Sequence, residues 1–217
     1  MPKRYALSTA AGKDATLALH RARAGGLTVD TAFNIFSGTS GRVAFHGVRA
    51  ELVQAHAAAL GLTLLQDHTV PDDFEAVFAR TLDRLAQAEV DGVVFGNVHL
   101  ADVRAWYEER TTARGLEHVE PLWDEAPGAL AREVVGLGYR ALVVSVDLER
   151  GDRAWLGEEL CDDLIRAVED HGADPCGEHG EYHTFVFDGP EFREPVRFRP
   201  GGRREERAHA LLELVPR

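Results

Sequence analysis

The run Tyr5-Ala6-Leu7-Ser8-Thr9-Ala10-Ala11-Gly12-Lys13-Asp14 decides how the rest of the chain is read. Residues 5–8 form a short apolar strand, and the periodic stretch 14–24, stopped by Gly25-Gly26, reads as a helix. The small residues between them let a ligand approach the backbone, and the free amides of the helix start point outward. Such a turn holds an anion by geometry and dipole, and Lys13 adds a mobile charge suited to phosphate. Asp14 either caps the helix or holds a magnesium ion. The plain alternative is a tight strand–helix turn with an ordinary cap. The G-x-x-x-x-G-K-[ST] spacing of a Walker A loop is absent.

Outward from this turn the pattern repeats. Strands at 29–36, 62–66, 93–95 and 116–119 alternate with helices at 48–60, 72–88 and 102–114. The 72–88 helix groups Phe74, Val77, Phe78, Leu82 and Leu85 on one face. Alternating strands and helices predict an α/β fold, a parallel sheet with helices on both faces. Ligands of such sheets bind beyond the carboxyl ends of the strands, where segments 8–14, 36–47 and 96–102 fall. After about Glu125 the style changes to a helix at 129–135, a β-branched strand at 139–146, a helix at 160–170 and strands at 182–187 and 196–199. This predicts a first domain over 1–125 and a smaller α+β domain over 126–217. The strand at 141–146 is either interior or an interface edge, so homo-oligomerisation stays open.

With 217 residues, 45% of them hydrophobic, the chain has enough to bury a core. A net charge of -12 argues against broad contact with nucleic-acid backbone, which needs clustered positive surface. The basic 203–207 stretch contains two glutamates and reads as a solvated face. Two cysteines, Cys161 and Cys176, cannot make a disulfide framework. Met1-Pro2-Lys3-Arg4 leads into a strand and not into a signal-peptide core, and no apolar run reaches membrane-spanning length. The expectation is a soluble, cytoplasmic protein with neither a membrane nor a nucleic-acid partner.

A second dense element lies near the end, Pro175-Cys176-Gly177-Glu178-His179-Gly180-Glu181-Tyr182-His183-Thr184. On a strand, Glu181 and His183 share a face, and glycines on both sides of Glu178-His179 allow a bend that brings Glu178 near them. Two carboxylates and a histidine can position an amine, accept its proton or bind magnesium. Cys176, His179 and His183 resemble half of a zinc site with no second ligand pair, and a polar hairpin is the bland reading.

These segments together resemble the diphthine–ammonia ligase family, a branch of the PP-loop (N-type) ATP pyrophosphatases. Residues 8–19 resemble the family's S-W-S-G-G-K-D-S-x-L-A-L opening, and Phe45-His46-Gly47-Val48-Arg49-Ala50-Glu51-Leu52 its second segment. Gly96-Asn97-Val98 through Pro121-Leu122-Trp123 resembles G-D-I…P-L-W, and residues 176–190 resemble C-G-E-N-G-E-[FY]-H-T-F-V-x-D-G-P. The resemblance implies an adenine nucleotide alpha hydrolase-like (Rossmann-like) first domain. It also implies adenylation: a carboxylate attacks the α-phosphate of ATP, pyrophosphate leaves, and ammonia displaces AMP to give an amide. It places Ser8, Thr9, Ala10, Ala11, Gly12, Lys13, Asp14, Gly96 and Asn97 around ATP, with Mg2+ on Asp14, and Asn34 and Phe36 near adenine. Glu178, Glu181, His183 and Thr184 would face a small-molecule or protein-borne carboxylate and ammonia. Ammonia would be free or partner-supplied, since Met1-Pro2 offers no N-terminal cysteine.

The chain also departs from the pattern. Ala10, Ala11 and Ala15 replace two hydroxyls and a glycine, and a methyl at position 11 crowds a turn that needs positive φ. Asn97 replaces a potential metal ligand, and His179 stands where the pattern has Asn. The competing expectation is therefore a nucleotide-binding or sensor protein that kept the fold and lost catalysis.

Overall fold

The computed structural model describes residues 2–206 and 208–217. Met1 and Arg207 lie outside them, so the readings of the N-terminal residue and of the last arginine in the basic 203–207 stretch have no structural counterpart here. β1 (Arg4–Ser8) is the centre of a five-stranded parallel sheet in the order β3-β2-β1-β4-β5. Its other strands are β2 (Thr28–Ser37), β3 (Thr63–Thr69), β4 (Gly92–Val94) and β5 (Glu117–Val119). The helices α1 (Lys13–Ala24), α2 (Ala50–Ala59), α3 (Phe74–Gln87) and α4 (Ala101–Thr112) connect them. Tyr5, Ala6 and Leu7 are all buried, because a central parallel strand is covered on both faces and reads as a continuous apolar run. Tyr5 and Leu7 join Leu17 and Ala18 of α1 in one core, while Ala6 joins Phe78, Leu82 and Leu85 of α3 in another. Phe74, assigned by sequence to that buried face, is instead 42% exposed and stacks on Phe78 and Trp106.

The chain winds from β1 out to β3, then returns to the other side of β1 as β4. The carboxyl ends of β1 and β4 thus border the point where strand order reverses, the usual place for a ligand crevice. Gly96, just past β4, packs directly on the start of α1. A Cβ there would lie 2.7 Å from the backbone nitrogen of Ala15, so only glycine fits.

The second half contributes α5 (Pro127–Gly136), β6 (Arg140–Asp147), α6 (Asp162–Asp170), β7 (Tyr182–Asp188), β8 (Phe198–Glu206) and β9 (His209–Pro216). Its strands form an antiparallel sheet in the order β7-β6-β9-β8. β6 is interior, paired on both sides, which answers the question left open for 141–146. The sequence expectation of one short last strand at 196–199 is corrected to a long hairpin, β8–β9. β8 is an edge strand whose arginines and glutamates are exposed, so it lacks the alternation by which a half-buried strand is recognised.

The two halves share a core. The largest buried cluster unites Leu17 and Leu19 of α1 with Leu130 and Val134 of α5, Val143 and Val146 of β6, and Tyr182. β7 also lies across the first turn, where the Val186 N–H donates to the Ala11 carbonyl at 2.8 Å. Among the described residues no helix is long and apolar enough to cross a membrane.

Candidate active site

The first turn begins α1 without a side-chain cap. Gly12 occupies the N-cap position, and Asp14 sits inside the first helical turn, so Asp14 is not the cap that one sequence reading made it. The positive φ falls on Ala11, at 62°, as the crowding argument anticipated. The Ala11 N–H donates to Thr9 Oγ1 at 2.9 Å, and the Lys13 N–H to Thr184 Oγ1 at 3.1 Å. Thr184 of β7 therefore serves one of the helix's orphan amides from the other half of the molecule.

Lys13 is the central charge. Its side chain is only 2% exposed, with Nζ donating to Asp14 Oδ2 at 2.9 Å and to the Cys176 carbonyl, 5.0 Å from the Tyr182 ring centroid. Burial opposes its charge, but the Asp14 carboxylate outweighs that and holds its pKa well above the usual value. An ammonium has three donors, so one remains for a ligand.

Lys13 and Asp14 line a cavity of about 170 Å³ with His46, Cys176, Gly177, Glu178, Tyr182, His183 and Thr184. Burial, and after it the charge of Asp14, raises the Glu178 carboxyl to about 7, although the Val98 N–H donates to it at 3.2 Å. The His46 and His183 rings face each other at a tilt of 32°, with centroids 4.5 Å apart. Burial holds His46 down to about 4, and burial with the neighbouring His46 and Lys13 holds His183 well below its ordinary value, so both imidazoles are neutral bases at pH 7. His46 Nδ1 lies 3.2 Å from the Thr184 carbonyl. Gly177, at φ 70°, bends the loop so tightly that a Cβ would sit 2.6 Å from the Tyr182 carbonyl oxygen.

A second cleft of about 250 Å³ adjoins the first at His46 and lies beyond the ends of β1 and β2. Ser8, Thr9, Ala10 and Asn34 line it, with Phe45, Phe78 and Tyr107 among the aromatic walls. Asn34 donates from Nδ2 to the Thr9 carbonyl at 2.8 Å, and its buried Oδ1 has no partner. Phe45 is 73% exposed at the rim, with φ 62°.

Several sequence-assigned residues stand elsewhere. Glu181 is not among the residues lining either space. It lies behind the loop, where Oε1 accepts from the Asp174 N–H at 3.1 Å and the buried Oε2 is unpaired. It sits just before β7 begins, so the strand periodicity that paired it with His183 does not yet apply. Phe36 packs into the second core against the 43–53 segment and His68. Gly96 supports α1 from below, and Asn97 turns aside to donate to Glu120 Oε1 at 2.6 Å. The zinc-like trio does not converge either. Cys176 Sγ donates to the Pro127 carbonyl at 3.3 Å, and His183 faces His46. Sequence reasoning missed His46, Tyr182 and the Cys176 carbonyl as site groups. His46 lay inside a recognised segment, but only the fold brings it against His183 and Thr184.

A parallel sheet with a lysine-bearing turn at its switch point, covered by a second sheet, is a PP-loop type of nucleotide-binding architecture. Residues 3–118 match the diphthamide synthase N-terminal domain and residues 126–210 the diphthamide synthase C-terminal domain. The chain belongs to the diphthamide synthase family. It is 29% identical over 130 residues to a diphthine–ammonia ligase of Danio rerio, covering 58% of this chain and 51% of that one. To the diphthine–ammonia ligase of Homo sapiens it is 30% identical over 113 residues, covering 50% and 42% respectively. The matched regions thus span about half or less of these curated relatives. A crystal structure described as a predicted subunit of tRNA methyltransferase, from Methanocaldococcus jannaschii, covers 90% of this chain at 13% identity, with a TM-score of 0.47 and all of its own chain covered. That likeness is too remote to inform function.

Proposed function

We infer that this chain is an ATP-dependent carboxylate–ammonia ligase, with residues 1–125 binding Mg-ATP and residues 126–217 presenting the acceptor acid. The observation that supports it most is the buried Lys13 ammonium, held with one free donor in a cavity that Glu178, His46 and His183 also line. The residues fit the nucleotide. The amides of α1 and Lys13 suit phosphates, the cleft at Ser8–Ala10 and Asn34 suits a nucleoside, and Asp14 offers carboxylate oxygens for Mg2+. When bound, ATP supplies an α-phosphorus that a carboxylate oxygen attacks with loss of pyrophosphate, and ammonia then displaces AMP to leave an amide.

The residues of this chain do the rest. Glu178, with a pKa near 7, takes the proton that the attacking ammonia must shed. The neutral His46–His183 pair accepts a hydrogen bond from ammonia without adding charge beside Lys13. Thr184 holds the first turn against β7, and Glu181 braces the loop through the Asp174 amide. The acceptor class is a carboxylate, diphthine or a smaller acid.

One observation favours the rival reading of a nucleotide-binding protein without catalysis: Ala11 carries a methyl at φ 62° in the phosphate turn. Titration of the protein with Mg-ATP, AMP and GTP, followed by pyrophosphate release with a panel of carboxylic acids and ammonium, separates the two. The ligase reading expects micromolar, adenine-selective binding and acid-dependent pyrophosphate. Binding without turnover on any acid, diphthine included, supports the rival, and no binding by folded protein overturns both.

A further inference from the structure

Outside the cavity that holds Lys13, His99, Asp174 and His179 bring one ligand atom each to within 4.8 Å of one another. His99 comes from the loop after β4, in the first half of the molecule, and Asp174 and His179 flank the bend that carries Glu178. His99 Nε2 lies 2.5 Å from Asp174 Oδ2, and the His99 and His179 rings are 5.4 Å apart. We propose that His99, Asp174 and His179 form a binding site for a transition-metal dication of the zinc class, which fastens the 97–99 loop to the glycine-rich bend.

The donor set fits that class. Two imidazoles and one carboxylate suit Zn2+ or Co2+ better than Mg2+, and three protein ligands leave a fourth position for water. Bond lengths of about 2.0–2.2 Å place tetrahedral ligand atoms about 3.3 Å apart. The His99–Asp174 pair must therefore open by under ~1 Å and the His179 ligand atom must close by up to about 1.5 Å. The His179 side chain is exposed and makes no hydrogen bond among the described residues, so its ring can take another rotamer. Asp174 is already aimed: its Oδ1 accepts from the Cys176 N–H at 2.7 Å, the kind of outer contact that orients a metal-binding carboxylate. On binding, the cation replaces the hydrogen bond between His99 and Asp174, and His99 ligates as the neutral tautomer with its proton on Nδ1.

The placement gives the site a consequence. Val98 lies beside His99 and donates its N–H to Glu178, which lies beside His179. A cation held by His99 and His179 clamps both strands of that contact. The family pattern described above has Asn where this chain has His179, so the third ligand belongs to this chain's departure from it.

The test uses chelator-stripped full-length protein titrated with ZnCl2 by calorimetry and with CoCl2 by visible absorption. The expected result is one equivalent bound at micromolar Kd or tighter, Co2+ bands of a four-coordinate site, and a thermal midpoint raised by zinc. In H179N and H99Q the affinity should fall at least tenfold, the bands should vanish and zinc should no longer raise the midpoint. His179 is exposed and makes no side-chain hydrogen bond, so H179N keeps the fold and carries the test even if H99Q does not fold. Wild-type protein with no saturable site, or H179N binding zinc as wild type does, overturns the proposal. So does binding that H179N leaves intact and H183N abolishes.

Discussion

The first turn and the glycine-rich bend meet at one cavity, yet they are built on opposite principles. The turn is shaped by its backbone: a helix start with no cap from its own side chains, a positive φ at Ala11 and one amide served by Thr184 of β7. It has this geometry with alanine at positions 10, 11 and 15, because peptide groups do not change with the side chain. The bend works through side chains, Glu178, His183 and their environment, and has no such tolerance.

Glu178→Gln presses hardest on this contrast. It should leave Mg-ATP affinity within a few-fold by calorimetry and lower amide formation by roughly 10²–10⁴-fold, the usual worth of a positioned general base. A collapse of ATP binding instead would place Glu178 in the phosphate half of the site. Lys13→Ala is the converse, since Lys13 is the charged side chain of the turn. ATP affinity should fall roughly 100-fold, as expected for losing a hydrogen bond to a charged oxygen. Unchanged affinity would mean that the phosphates bind elsewhere.

A third, smaller effect lies under both regions. His56 of α2 is fully buried and its Nδ1 has no partner. Burial holds its pKa down to about 3 from an ordinary 6.5. The folded protein keeps this imidazole neutral while the unfolded chain protonates it, so stability falls as pH drops from 6.5 towards 3. At pH 5 the loss is about 2 kcal/mol relative to pH 8. His46 and His183, also held neutral by burial, add losses of the same sign, so urea unfolding at both pH values should show a larger total, of which His56→Leu should remove about 2 kcal/mol. Ala11→Gly gives the smallest change. Relief of a left-handed alanine gains about 1–2 kcal/mol. The buried methyl is worth about 0.8 kcal/mol, and the freer unfolded glycine costs about 0.4–1 kcal/mol. The net should stay within about 0.8 kcal/mol of zero by urea titration, with ATP affinity moving only a few-fold. A large gain in either would mean the turn is strained enough to limit binding.

The first sheet was legible because its strands are covered on both faces. Tyr5–Leu7 and Val93-Val94 have no reason to be polar, and the helices between them carry an apolar face towards the sheet. The β8–β9 hairpin was illegible because β8 is an edge strand, with Arg203, Arg204, Glu205 and Glu206 all in solvent. At the site, Lys13 and Glu178 could be read from local motifs, since turn and bend are contiguous in sequence. Glu181 was drawn into the site by a strand periodicity that starts one residue after it. His46, His99 and Asp174 had no local signal. Their positions depend on β7 crossing α1 and on the 97–99 loop reaching the bend, contacts between residues 75 and 138 positions apart.

The core shared by α1, α5, β6 and Tyr182 has a consequence for how the molecule behaves in time. Interleaved in this way, the two sheets lack a seam along which they can part, so heating should give a single calorimetric transition whose two enthalpies agree. Residues 1–125 expressed alone would leave Leu17 and Leu19 without their partners on α5 and β6.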